Sequence, residues 1–274
     1  MVRGWFTVIS ITQILFTYNM NTLIGNNSLQ GFAVISDPEK WKELLSNLPF
    51  DNEYFFFFNE ERGKHINLFF KKTDPKTYKK INNYLVNFLK KSENNYQNTE
   101  NDLLFINFEP NTILPIIHIE TVEDLTYGSK IEEETIIEFL FRFNHVLVAS
   151  MQYNNFFVVE KNRLNFAIQL VLMAFTKIDK KNAIIALEKE VKDDKIFKAI
   201  FKNSKNSLVS LFQDLQTIKD EEIENWVKSW LALSNNFVKN LPLLLIIEII
   251  CHVLNLKTKK KQLIYLIKET LKSS

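Results

Sequence analysis

The chain has 274 residues, 46% hydrophobic and 24% charged, which excludes a disordered protein and gives enough length for substantial cores. A formal net charge of +2 excludes binding to nucleic acid or an anionic membrane by bulk electrostatics. A single cysteine, Cys251, excludes an intramolecular disulfide.

Only five Gly and six Pro punctuate the chain, so most of it is expected to be regular structure, with helix favoured. Phe, Asn, Lys and Ile are all abundant and share A/T-rich codons, so the aromatic excess reads first as genome bias. The apolar segment Trp5 to Tyr18 is broken by Thr7, Ser10, Thr12 and Gln13 and is too short to span a bilayer. Arg3 imitates a signal peptide, yet no small-residue cleavage site follows Phe16, and the β-branched run from Thr7 to Thr12 fits a strand as well. Residues 1–20 therefore read as either a strand or a leader segment, and the chain as cytoplasmic.

Gly31 to Ser36 is a short apolar run. Asp37-Pro38 then reads as a helix cap with Pro at the first helical position, and Trp41, Leu44, Leu45 and Leu48 recur at helical spacing before Pro49. Glu53 to Glu60 reads as a strand, Glu61-Arg62-Gly63 as a turn, and Lys64 to Lys71 as the next strand. Asp74-Pro75 starts a second helix striped by Tyr78, Ile81, Leu85 and Phe88. Ser92 to Asp102 is read as a loop and Leu103 to Phe108 as the fourth strand.

That order, β-α-β-β-α-β, predicts an α+β fold whose front half is a ferredoxin-like sheet. Helices of such a unit cover one face of the sheet. Phe55 to Phe58 put aromatic rings on both, so the rest of the chain or a partner must cover the second face.

From Ile131 the apolar period becomes helical, with stripes Ile136, Leu140, Phe143, Leu147 and Leu164, Ile168, Leu172, Phe175. Further helices are expected over Lys181 to Lys202, Ser207 to Ile218, Glu221 to Leu233 and Leu263 to Leu271. Val146 to Glu160 reads as either a helix end with a loop or a hairpin. Leu243 to Leu254 carries Glu248 and His252 behind Pro242 and reads as a buried helix, with Cys251 a buried small hydrophobe. The basic run Lys257 to Lys261 reads as a solvated helix start. The expected division is residues 1–129 for the ferredoxin-like half and 130–274 for a helical bundle packed on it.

Glycine-rich phosphate loops, nucleophile elbows, HExxH and CxxC patterns are absent from the sequence. The four histidines, His65, His118, His145 and His252, have no second His or Cys at metal-ligand spacing, so no metal site is expected.

Three groups of residues, in order, resemble the small elimination domain of lantibiotic dehydratases. That domain also stands alone in the thiopeptide-type bacteriocin biosynthesis proteins. The first group is Phe55 to Phe58, the turn at Gly63, and His65-Ile66-Asn67-Leu68-Phe69-Phe70. The second is Glu123-Asp124-Leu125-Thr126-Tyr127-Gly128-Ser129 ahead of a long helix. The third is His252 followed by Leu256-Lys257, with Asn255 one place early.

The resemblance implies elimination of glutamate from a glutamylated Ser or Thr of a precursor peptide. It implies Glu123 and His252 as catalytic residues, and His65, Asn67, Thr126, Tyr127 and Lys257 as substrate-binding ones. No cofactor or metal is implied. The implied partners are the peptide and a separate glutamylating subunit, and a homodimer is possible.

The family's arginines are replaced here by Asn67, Phe69, Thr126 and Lys257, and only the last keeps a charge. Altered chemistry, or a peptide-binding role without catalysis, is therefore favoured over standard elimination. The competing class is a non-enzymatic interaction module, such as an immunity or adaptor protein, using the aromatic sheet. RNA binding is disfavoured, because His65 to Phe70 lacks the basic-Gly-aromatic signature.

Overall fold

A computed structural model describes residues 29–49, 54–71, 74–91, 107–116, 133–156, 158–176, 178–217, 223–237 and 242–274. The expectations for Trp5 to Tyr18 and Ser92 to Asp102 lie outside these residues. In the described chain, β1 (Leu29–Ile35) leads through a 3-10 turn (Pro38–Lys40) into α1 (Trp41–Ser46). Then come β2 (Tyr54–Asn59), β3 (His65–Lys71), α2 (Pro75–Lys91) and β4 (Thr112–Ile116). Seven helices follow: α3 (Glu133–Ser150), α4 (Glu160–Phe175), α5 (Lys180–Glu190), α6 (Lys195–Thr217), α7 (Asn225–Phe237), α8 (Leu243–Val253) and α9 (Lys260–Ser273).

The sheet order is β2-β3-β1-β4, antiparallel at every pairing, which is the ferredoxin-like arrangement predicted from the element order. The α+β class holds, with helix predominating among the described residues.

The helix starts follow the cap chemistry. The Asp37 carboxylate accepts from the Glu39 N–H at 3.0 Å, and Asp74 accepts from Lys76 and Thr77 at 2.7 and 3.1 Å.

Residues 103–106 of the expected fourth strand lie outside the described residues and 107–109 are irregular; the strand beside β1 is Thr112–Ile116, where Leu114 faces Ala33 and Pro115 faces Phe32. Pro115 has no N–H to give, and it fits here because β4 is an edge strand among the described residues.

The helices also divide differently from the expectation. The run Lys181 to Lys202 breaks at Val191, which is extended and buried, and Asp194 starts a new helix by accepting from Ile196 and Phe197 at 2.7 and 3.1 Å. That helix, α6, then runs unbroken through Ser207 to Thr217. Val146 to Glu160 resolves as the end of α3 and a connection into α4.

Both faces of β2 are covered from within the chain. Tyr54, Phe56 and Phe58 lie on one face, where Trp41 stacks on Phe58 at 5.5 Å and the Tyr54 hydroxyl donates to the Leu45 carbonyl at 2.8 Å. On the other face Phe55 meets Phe141 of α3 at 5.2 Å, and Phe57 meets His252 of α8 at 4.8 Å. All five aromatic residues of β2 are at most 5% exposed. The aromatic strand therefore offers no free docking face.

Behind it, Phe139, Phe143 and Trp230 join α3 to α7, and the Trp230 indole donates to the Leu170 carbonyl of α4 at 2.8 Å. The C-terminal α9 packs on α4, α5 and α6. No described helix is long and apolar enough to cross a membrane.

Gly31 sits between Phe69 of β3 and Ile116 of β4. A β-carbon there would lie 2.8 Å from the Ile116 Cβ and 3.0 Å from the Phe69 ring. Because the Ile116 Cβ is fixed by its own strand, Gly31→Ala should overpack the sheet. The expected cost is about 1–3 kcal/mol, read as a lower midpoint in urea denaturation. An unchanged midpoint would show that the strands shift apart freely.

Candidate functional site

His252 is placed by backbone chemistry at the end of α8. The Leu256 N–H donates to the Cys251 carbonyl at 2.6 Å and the Asn255 N–H to the His252 carbonyl at 3.1 Å. This pair of bonds is a Schellman motif, with Asn255 as the left-handed residue at φ 52°. Asn is the side chain most tolerant of that conformation after Gly, which explains its position just past the helix. The chain then turns into a second 3-10 segment, Lys257–Lys259, and α9.

The imidazole of His252 is 7% exposed and packs edge-to-face on Phe57, and its Nδ1 is buried with no hydrogen-bond partner among the described residues. Burial first, and the charge of Lys257 second, push its pKa down to about 4. At neutral pH the ring is uncharged. Phe57 faces Asn67 directly across the β2–β3 ladder, so His252 and half-buried Asn67 belong to one side of the sheet. Lys257 is exposed. A histidine kept only for packing would be expected to bond a carbonyl, and the free Nδ1 leaves an acceptor able to take a proton.

His65 lies two residues before Asn67 on the same face of β3, but its ring is engaged elsewhere. Its Nδ1 is 2.8 Å from the Gly63 carbonyl, its ring packs on Phe108 at 5.3 Å, and burial lowers its pKa. Of the predicted residues, Lys257 acts on His252 through its charge and Asn67 shares the sheet side of Phe57, which His252 touches, while His65 serves the β2–β3 turn. Glu123, Thr126 and Tyr127 lie outside the described residues.

Two features escaped sequence reasoning. Arg163, at the start of α4, is 3% exposed, and its guanidinium donates to Glu60 at the end of β2 at 2.8 Å. The predicted α4 stripe began at Leu164, which is only half-buried. A cation beside an apolar stripe gave no sign of which of the two turns inward.

The second feature is a cleft of about 450 Å³ along α3. It is lined by Lys71, Glu134, Glu138, Phe141, Arg142 and His145. Phe141 is its link to the sheet, touching Phe55, which in turn touches Phe57 at 5.4 Å. The spacing of Glu134, Glu138, Arg142 and His145 along one helix side was visible in the sequence, but not that Lys71 would stand across from them.

Cys251 is fully buried and its thiol is pushed up to about 12 by burial, so it is not a nucleophile in the folded protein. Among the described residues no group of three or more His, Cys, Asp or Glu side chains is gathered to hold a metal.

Among solved structures the chain is similar to the pyridine synthase TbtD from thiomuracin biosynthesis. The TM-score is 0.57 and the identity 11%, over 90% of this chain and 98% of that one. At that identity the likeness is one of fold. No protein-family model matches the chain, and no curated protein matches it in sequence.

Two outcomes follow from the end of α8. Asn255→Ala should destabilise by about 1–2 kcal/mol, because an Ala must be held in the left-handed region, whereas Asn255→Gly should be neutral or stabilising. Thermal melts of the two variants check this, and equal losses would sink the Schellman account.

The folded pKa of His252 lies below its unfolded value of 6.5, so the unfolded chain binds the extra proton between the two. Its contribution is therefore complete above pH 6.5 and lost as pH falls through 4. The loss amounts to about 3 kcal/mol. Urea titrations at pH 7.5 and 4 should show that loss in the native chain and a smaller one in His252→Gln. His65 and His145 act with the same sign and remain in both proteins.

Proposed function

We propose that this chain acts in the maturation of a ribosomally synthesised peptide. In this reading it removes glutamate from a glutamylated Ser or Thr, or binds such a peptide as a form altered in chemistry. The observation that carries the reading is His252, a neutral imidazole with a free buried nitrogen, held against the sheet of a fold like that of a thiopeptide pyridine synthase.

Elimination needs a base for the α-proton and a cation for the departing carboxylate. His252 is assigned as the base. As it takes the proton, the α-carbon electron pair forms the Cα–Cβ double bond and the Cβ–O bond breaks, releasing glutamate. Lys257, whose charge reaches the His252 ring, is assigned to the leaving carboxylate.

Asn67 stands where the family carries an arginine and can hydrogen-bond the peptide without neutralising charge. Glu123, Thr126 and Tyr127 keep the roles that the resemblance gives them within this proposal, whereas His65, bonded to the Gly63 carbonyl, supports the strand that carries Asn67. The implied partners are the precursor peptide and the enzyme that glutamylates it. No cofactor enters the step.

Pull-down of the tagged protein from its own cells, read by mass spectrometry, should recover a short Ser/Thr-rich peptide or a dehydratase-like protein. Glutamate release from a glutamylated form of that peptide should fall about 100-fold or more in His252→Ala, with a smaller loss in Lys257→Ala. Recovery of a toxin or structural protein without any small peptide would overturn the proposal.

A further inference from the structure

The first five turns of α6 carry an unusual charge arrangement. Lys195, Lys198, Lys202 and Lys205 are all exposed, and no Asp or Glu occurs from Lys195 to Gln213. At the helical rotation of each residue the four lysines fall within a stripe roughly 80° wide and ~15 Å long. None of them meets a carboxylate within ion-pair distance among the described residues, although lysines elsewhere do, as in Lys259 with Glu160 and Lys272 with Glu188.

The nearby acids are committed. Asp194 caps α6 through its backbone bonds, and Asp193 faces Lys268 at 3.6 Å. Neighbours along the stripe are three or four residues apart, the spacing at which like charges destabilise a helix. Lys195 also adds positive charge to the first helical turn, where the dipole disfavours it. The arrangement works against helix stability, so stability does not explain it.

We propose that this face of α6 docks an acidic polypeptide segment in extended conformation, with about five residues spanning the stripe. Carboxylates of the segment neutralise Lys195, Lys198, Lys202 and Lys205. Lysines act as separate point charges on flexible stems, which suits carboxylates at varied spacing. The absence of arginine forks and exposed aromatic rings on this face disfavours nucleic acid. The surface is independent of the chemistry assigned to His252.

The test uses the full chain, a fluorescein-labelled peptide alternating Glu with Ile and Ser, and an RNA oligonucleotide of similar charge, in fluorescence anisotropy. The expected result is salt-sensitive binding of the peptide, tighter than that of the RNA. Lys198→Glu with Lys202→Glu should weaken it at least tenfold while leaving the thermal midpoint unchanged or higher. The same charge change on α2, Lys79→Glu with Lys80→Glu, should weaken it by less than threefold. Tighter RNA binding, no peptide binding at low salt, or equal weakening by the α2 variant would overturn the proposal.

Discussion

Five consecutive aromatic residues in one strand cannot be sheltered by the two helices of a ferredoxin-like unit. Each Phe buried is worth about 1.5–3 kcal/mol, and alternate residues of a strand face opposite ways. The chain resolves this constraint by laying its second half against β2, with Phe141 of α3 over Phe55 and His252 of α8 over Phe57. The position of the candidate base is thus a by-product of covering the sheet. The same contact that buries Phe57 removes water from the imidazole and keeps it neutral.

The resulting site has one rigid side and one polar side. Phe57 and the Schellman turn fix the imidazole from the sheet and from the backbone, while Lys257 approaches from the far side of that turn as a solvated charge. This division suits a group that must accept a proton without moving far. It also separates the role of His252 from that of His65, whose Nδ1 lies 2.8 Å from the Gly63 carbonyl of a tight turn.

Where local chemistry governs, the residues announced the structure. Asp37-Pro38 and Asp74-Pro75 marked helix starts, Gly63 the hairpin turn, and the unbroken aromatic run Phe55 to Phe58 a strand that needs cover on both faces. Other features have no such local signal. The place beside β1 is taken by Thr112–Ile116, which its composition does not announce, because pairing is decided by what the neighbouring strand accepts. The break at Val191 carries no Gly or Pro. It depends on Asp194 capping the next helix, which competes with a helical pattern that looks continuous. For the site, the type of residue at His252 and Lys257 was visible, while the Phe57 contact, the Arg163–Glu60 pair and the cleft at Lys71 join residues far apart in the chain and have no local signature.

Pro115 has a consequence for how the sheet can grow. A free edge strand is a template for unwanted pairing between chains, and β4 is such an edge, only five residues long. Pro115, the fourth of the five residues, has no N–H to offer, so a strand laid alongside could not form an unbroken ladder along β4. The uncharged run Tyr54 to Asn59 is of the kind that stacks into fibrils, and among the described strands it forms the opposite edge of the sheet. There the protection is of another kind: the aromatic side chains are buried on both faces beneath helices, so the strand cannot be stacked upon while the fold lasts.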